Sequence, residues 1–216
     1  METLVTPDET LTRSAFLLAF DLRKEKLTGR GELGYLLRAA ALAELLLAGH
    51  LADESGKVRA LTAPPGAGSG TLPAIVWEQI SASPRARSWQ RWVQKHNGKA
   101  VGVVRDELAA AGLIRVERRR ILLFPVERIT PRKAYLSRRL AERVGRAIRG
   151  GQPVARLDQD VRVLAALAAT ARLNTVVQSR RELRTDRIQQ LSGPVEPITV
   201  ALRKSLQAAK AAAEAG

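Results

Sequence analysis

Hydrophobic residues recur along most of the chain at the three- and four-residue spacing of a helix. Residues 32–48 are apolar on nearly every side, which predicts a helix at the centre of the core, and Gly49 is a typical residue for its end. A hydroxyl cap, a proline and two acids at Thr6-Pro7-Asp8-Glu9 indicate where the first helix begins. The remaining periodic segments predict helices at residues 7–20, 72–82, 86–97, 99–111, 131–149, 158–177, 180–191 and 196–213.

Two short β-hairpins are predicted between these helices. The first has its turn at residues 53–56 (D-E-S-G), with strands at residues 50–51 and 57–61. The second joins strands at residues 113–117 and 121–124 through a turn at Arg118-Arg119-Arg120. Each hairpin follows a helix that ends in glycine. That order is compatible with the helix and wing of a winged helix-turn-helix, and it is also the ordinary way for a chain to leave a helix.

The expected fold class is mainly α. Residues 21–31 and 63–70 are rich in glycine and polar side chains and are predicted loops. The whole chain, residues 1–216, is expected to form a single helical domain with a multi-helix core and one or two short β-hairpins. Its last residues, 206–216, are rich in alanine and are expected to fray.

The charge of the chain is strongly positive, since 36 Lys and Arg oppose 21 Asp and Glu, for a formal net charge of +15. Arginine predominates among the basic residues, which together with abundant alanine, valine and leucine suggests a GC-rich bacterial genome. Such a charge points to an anionic partner, either nucleic acid or a lipid surface. Because the chain has no long apolar run and no leader-like N-terminus, a cytoplasmic protein without a membrane span is expected.

The usual patterns of catalysis and metal binding are missing from the sequence. The chain has no cysteine, which excludes thiolate metal sites and disulfides, and its two histidines, His50 and His96, have no carboxylate or hydroxyl partner nearby in sequence. No nucleophile elbow, phosphate-binding glycine loop or zinc-protease motif occurs. Asp158 and Asp160 are explained as the acids of a helix start. We therefore expect neither an enzyme nor a cofactor nor a metal site.

Arginines at three places in the chain are candidates for binding an anion. Arg38 lies in the most apolar helix, where an unpaired guanidinium is costly, so it either pairs with a carboxylate such as Glu44 or opens onto an anion-binding surface. Arg105 lies beside two acids and on its own is typical of a solvated helix face. The triplet at residues 118–120 can grip phosphates or remain solvated.

Five motifs follow one another in an informative order. V-R-D-E-L-x-x-x-G-L-I at residues 104–114 precedes I-L-L-F at residues 121–124. Upstream lie Y-L-L-R-A-A-x-x-A-E-L at residues 35–45 and G-H-L at residues 49–51, and downstream L-D at residues 157–158 opens an apolar helix. This series resembles the Golgi phosphoprotein 3 family, peripheral Golgi proteins that bind phosphatidylinositol 4-phosphate, which have bacterial relatives. The similarity covers residues 7–205 and implies the same mainly helical fold.

The resemblance also implies a phosphoinositide site. By position, it places Arg38 and Arg105 in the headgroup pocket. The family's aromatic residue falls on residues 28–30, where this chain has no aromatic side chain, and the family's other arginine falls on Gly102. Nearby cations are candidates for the missing charge. The predicted headgroup-binding residues are thus Arg38, Arg105, Arg30 and Lys99.

The family's membrane-contacting hairpin corresponds to residues 118–129. In this chain, apolar side chains there are expected to enter the interface between flanking arginines. The predicted membrane-contacting residues are Arg118, Arg119, Arg120, Phe124 and Val126.

The function expected from these observations is that of a cytoplasmic, peripherally membrane-associated adaptor. It would recognise anionic lipid headgroups, with phosphatidylinositol 4-phosphate as the ligand that the resemblance implies, and bring cytoplasmic tails of membrane proteins to the surface. Arg38 and Arg105 should then lie within reach of one small anion in an open basic depression. The alternative is a winged-helix-like nucleic-acid-binding regulatory protein, although Asp106 and Glu107 suit phosphates poorly. A third reading is an assembly protein with an acidic partner.

Overall fold

A computed structural model describes residues 10–121, 124–177, 179 and 183–215, without the side chains of residue 30 and residues 118–126. The predicted helix start at Thr6-Pro7-Asp8-Glu9 lies outside the described residues. Within them, nine α-helices are present: α1 (Leu11–Leu18), α2 (Arg30–Leu47), α3 (Leu72–Ser81), α4 (Trp89–Gln94), α5 (Asn97–Ala110), α6 (Ala134–Arg149), α7 (Gln159–Thr170), α8 (Thr185–Ser192) and α9 (Glu196–Glu214). Seven strands accompany them: β1 (Phe20–Asp21), β2 (Lys26–Leu27), β3 (Leu51–Glu54), β4 (Lys57–Ala60), β5 (Arg87–Ser88), β6 (Ile114–Ile121) and β7 (Phe124–Pro131).

Helix α2 forms the centre of the core, as its sequence predicts. Residues 39–43 on this helix are completely buried, and α1, α3, α4, α5, α7 and α9 all pack against it. An apolar helix without a polar stripe has no side to turn to water, so other helices must surround it. The predicted fold class, a mainly α single domain with short antiparallel strand pairs, is confirmed.

Helices α2 and α5 end in the same way, and each leads into a hairpin. After α2, Gly49 has φ +76° and the amide of His50 donates to the carbonyl of Leu45. After α5, Gly112 has φ +68° and the amide of Leu113 donates to the carbonyl of Leu108. Both are glycine-terminated helix ends in which a positive φ lets the chain satisfy a free carbonyl. The predicted hairpin at residues 50–61 is confirmed as β3 and β4.

The second hairpin is longer than predicted, and the predicted turn at residues 118–120 is wrong. Strands β6 and β7 each have eight residues and pair in register from Ile114 with Pro131 to Ile121 with Phe124, so the arginine triplet lies within β6. At the base of the hairpin, Ile114 and Pro131 are buried while Arg115 is exposed. In the sequence, the three arginines interrupt the apolar alternation that marks a half-buried strand, which is why residue type alone predicts a turn there.

Several other boundaries differ from the predictions; for example, the helix predicted at residues 158–177 ends at Thr170. Residues 21–31 contain the hairpin β1–β2 and the start of α2, because Glu25 adopts φ +48° and closes a tight turn. The helix predicted at residues 86–97 is instead strand β5, paired with β4, followed by α4. The next helix begins at Asn97, after His96 with φ +53°. Helix α9 continues through the alanine-rich segment to Glu214.

Helices α2 and α5 approach each other very closely at Gly34. A Cβ atom at this position would lie 2.2 Å from the carbonyl oxygen of Asn97. Only glycine permits that distance between the two backbones. The contact fixes the start of α5 against the first half of α2.

Candidate functional site

Arg38 is buried beneath the surface of the molecule rather than exposed on it. Its side chain lies on α2 and is only 1% exposed. Its Nε and Nη2 atoms donate to the backbone carbonyl of Trp92 at 3.0 and 2.8 Å, and its Nη1 atom donates to Oε1 of Gln79 at 3.1 Å. The guanidinium therefore joins α2 to α4 and α3.

Among the described residues, the hydrogen-bond partners of Arg38 are uncharged oxygens, and no carboxylate pairs with it. Burial lowers the pKa of Arg38 to about 10, so the group remains protonated at neutral pH. Glu44, the partner considered from the sequence, instead accepts hydrogen bonds from the amide and hydroxyl of Thr12 on α1, at 3.3 and 3.0 Å. The positive charge of Arg38 is thus solvated by two carbonyl-type oxygens and is not neutralised by an acid.

Above Arg38 lies an open pocket that we call the basic depression. Its volume is about 710 Å³, and Gln79, the partner of Arg38, forms part of its wall. Its cations come from β5, α4 and the residues that follow α4. The lining residues are Glu78, Gln79, Ala82, Ser83, Pro84, Arg87, Arg91, Gln94, Lys95 and His96.

The basic depression carries a positive charge that nearby acids do not offset. Burial lowers the pKa of Lys95, and the charges of Arg38, Arg87 and Arg91 lower it further. In the described part of the chain, no carboxylate forms an ion pair with Arg87, Arg91 or Lys95. Glu78 is the one acid of the lining, and its Oε1 accepts from the amide of Gly68 at 2.8 Å. Such a cluster favours a bound anion.

Two hydrogen bonds hold α4 in place under the basic depression. Ser88 caps the helix by accepting from the amide of Arg91 at 3.3 Å. The indole N–H of Trp89 donates to the carboxylate of Asp53 on β3. The ammonium of Lys95 lies 4.9 Å from the ring centre of Trp92, which is within cation–π range.

Arg105 lies apart from the basic depression and serves a different contact. It is one of the half-buried side chains of α5 and forms ion pairs with Asp106 and with Glu127 on β7. The hydrogen bond from Arg105 to Asp106 raises the pKa of Arg105, and the charges of both acids act in the same direction. The structure therefore does not bring Arg38 and Arg105 together around one open anion site. Arg105 instead ties the middle of the β6–β7 hairpin to α5.

The other predicted site residues are placed as follows. Lys99 is exposed on the first turns of α5. The side chains of Arg30, Arg118, Arg119, Arg120, Phe124 and Val126 lie outside the described residues.

The residues that surround the basic depression were missed in the sequence. Arg87, Arg91 and Lys95 follow one another at intervals of four, and tryptophans alternate with them at residues 89 and 92. This regular spacing of basic residues is the signal that could have indicated the cluster. In the structure, the three cations lie on β5, on α4 and just after α4, while Trp89 and Trp92 are buried.

Among the described helices, none has both the length and the apolar character that crossing a membrane requires. Over the same residues, His, Cys, Asp and Glu do not gather in groups of three that could hold a metal ion.

A family model described as Golgi phosphoprotein 3 (GPP34) matches residues 11–209, which is most of the chain. No curated protein matches the chain. The family resemblance seen in the motifs is thus confirmed.

Proposed function

The chain belongs to the Golgi phosphoprotein 3 family, and on that premise we propose that it is a peripheral adaptor that binds anionic lipid headgroups through the basic depression. The family consists of adaptors rather than enzymes. In this proposal, the depression holds the protein at the membrane, and other surfaces hold the cytoplasmic tails of membrane proteins.

The observation that carries the proposal is the cluster formed by Arg87, Arg91 and Lys95. Three cations without acidic partners share one open concavity of about 710 Å³. Guanidinium groups bind phosphate oxygens through two parallel hydrogen bonds, and a lysine adds a point charge. Burial, followed by repulsion from Arg38, Arg87 and Arg91, lowers the pKa of Lys95, and a phosphomonoester on a lipid headgroup would relieve the repulsion.

Arg38 takes a positioning role in this proposal rather than a direct one. All three of its hydrogen bonds go to protein oxygens, on Trp92 and Gln79. It supports the floor of the basic depression and adds to the positive potential there. The two cations that the resemblance added, Arg30 and Lys99, stay predictions.

The β6–β7 hairpin is proposed as a second membrane contact, by means of Phe124 and Val126. Its middle is tied to α5 by the pair between Arg105 and Glu127, and Arg128 pairs with Glu25 in the β1–β2 hairpin. A hairpin held in this way can present its far end to a bilayer. Apolar residues there would add burial to the electrostatic attraction.

The test of the proposal is co-sedimentation with vesicles. The double variant Arg91→Gln/Lys95→Gln removes two charges from the basic depression, and the control Arg203→Gln/Lys204→Gln removes an arginine and a lysine from the exposed surface of α9. Each basic residue at an anionic leaflet contributes about 1 kcal/mol, so the first variant should bind vesicles about thirtyfold more weakly. Vesicles with a phosphoinositide should bind the wild type better than vesicles with the same charge in phosphatidylserine.

Two results would count against the adaptor proposal. Equal losses in both double variants would mean that net charge, and not the basic depression, determines vesicle binding. Tight and saturable binding to duplex DNA at physiological salt, together with no vesicle binding, would favour the nucleic-acid-binding alternative.

A further inference from the structure

The C-terminal end of α6 and the chain that follows it enclose a second basic cavity, which we call the arginine cleft. Its volume is about 480 Å³. It is separate from the basic depression, since the two cavities share no residue. Its cations come from α6 and from the short 3₁₀ turn at residues 154–156. They are Arg143, Arg146, Arg149 and Arg156.

Only one of these four arginines is neutralised. Arg143 forms an ion pair with Asp158 at 2.7 Å, and Asp158 is the only carboxylate in the lining of the cleft. Over the described residues, Arg146, Arg149 and Arg156 form no ion pair. Three uncompensated guanidiniums around one small cavity repel one another, so an anion with several charges would stabilise the arrangement.

Two details of local structure favour an anion in the arginine cleft. Gly145 leaves room for Arg149 to fold back against α6, because a Cβ atom at Gly145 would lie 3.1 Å from the Nη1 atom of Arg149. The guanidinium of Arg187 donates to the carbonyls of Ala147 and Gln152 at 3.0 and 2.9 Å. These carbonyls include one from the last turn of α6, so Arg187 reduces the negative potential that a helix end would direct at an anion.

We propose that the arginine cleft binds a compact polyphosphate group, of the size of a diphosphate or triphosphate, through Arg146, Arg149 and Arg156. Each guanidinium can give two parallel hydrogen bonds to phosphate oxygens, and three of them match an anion with three or more charges. The group can belong to a free molecule or to a phosphorylated lipid headgroup. This site is independent of the function proposed above, because its residues lie outside the basic depression.

Isothermal titration calorimetry with tripolyphosphate at constant ionic strength tests the arginine cleft. The test variant is Arg146→Gln/Arg149→Gln. The control, Arg138→Gln/Arg139→Gln, removes the same charge from an exposed part of the same helix. Because hydrogen bonds to charged groups are strong, we expect at least about a tenfold loss of affinity in the test variant. The control should lose less than about threefold, which is the effect of a screened distant charge.

The outcomes of the titration decide the proposal. Equal losses in the two variants, or no saturable binding by the wild type, would overturn it. If the test variant does not fold, as shown by its thermal melt, Arg156→Gln takes its place, because Arg156 lies outside α6; it should also weaken binding about tenfold.

A second arm separates the two sources of the ligand and the two basic cavities. Vesicles that contain phosphatidic acid are added to the wild type, to the test variant Arg146→Gln/Arg149→Gln and to Arg91→Gln/Lys95→Gln. If the test variant loses affinity for tripolyphosphate but binds vesicles like the wild type, the ligand is a free molecule. If it loses affinity for the vesicles as well, the ligand is a phosphorylated lipid. Unchanged tripolyphosphate binding in Arg91→Gln/Lys95→Gln is expected, and a tenfold loss there would assign the polyphosphate to the basic depression and overturn the proposal.

Discussion

Replacing Arg38 by methionine should weaken the fold more than it weakens headgroup recognition. Methionine fills a similar volume but cannot donate to the carbonyl of Trp92, which then lies in the core without its two donors. Gln79 lines the basic depression and can turn to water. The carbonyl of Trp92 cannot turn to water in the same way, so the main loss of stability arises at this carbonyl.

The expected magnitude follows from two opposing effects at Arg38. Burial lowers the pKa of Arg38 to about 10, which corresponds to about 3 kcal/mol of desolvation cost, and methionine removes this cost together with the hydrogen bonds that offset it. An unpaired buried carbonyl then costs about 1–3 kcal/mol. For a chain of this size, the melting temperature should fall by about 2–12 °C.

The pH dependence of this difference has a definite sign. Because the pKa in the folded protein lies below that of the free side chain, the protonated group disfavours folding at every pH below about 10, and this penalty is relieved only as the pH rises above about 10. The difference in stability between wild type and Arg38→Met should therefore be constant around neutral pH. Urea denaturation at several pH values measures it.

The control for Arg38→Met is Arg91→Met, on the exposed wall of the basic depression. It should melt like the wild type but bind anionic vesicles more weakly, since it loses only a headgroup contact. The reasoning is refuted if Arg38→Met melts like the wild type and loses as much vesicle binding as Arg91→Met. Arg38 would then contact the headgroup itself.

Gly34→Ala should lower the free energy of unfolding by about 1–3 kcal/mol, because the added methyl would overlap the carbonyl of Asn97; a wild-type melting curve would contradict the close approach of the two helices. Burial raises the pKa of Glu44, so its ionisation destabilises the fold as the pH rises from 4.5 through that raised pKa. Glu44→Gln should remove this fall in the free energy of unfolding with rising pH, while the glutamine still accepts a hydrogen bond from Thr12. Urea denaturation from acidic to neutral pH measures the effect. Arg105→Ala should lower the free energy of unfolding by about 1 kcal/mol and leave the binding of a soluble headgroup unchanged. A tenfold loss of headgroup affinity in this variant would mean that Arg105 contacts the headgroup.

Where an element depends on residues close together in the sequence, the sequence alone predicts it. The central helix α2 follows from an apolar segment without a polar stripe, and its end follows from Gly49, whose positive φ is the property that suits glycine there. The hairpin at residues 51–60 follows from the turn sequence alone. These elements depend on side chains within a few residues of one another.

The longer strands and the site depend on partners that lie far away in the sequence. The arginines at residues 118–120 look like a turn because no apolar alternation continues through them, and only the pairing with β7 makes them a strand. Arg38 is bonded to a backbone carbonyl 54 residues away, and a backbone carbonyl leaves no trace in residue type. For this reason the two alternatives that the sequence suggests for Arg38, an internal ion pair and an open anion site, both omit the hydrogen bonds to a backbone carbonyl that the structure contains.

The attachment of α4 has a consequence for amide hydrogen exchange. With six residues, α4 is too short to persist as an isolated helix. It is nevertheless held from one side by Arg38 on α2 and from the other by Asp53 on β3 through Trp89. The hydrogen-bonded amides of α4 should therefore exchange when the packing around α2 opens, so α4 should belong to the same cooperative unfolding unit as the central helix α2.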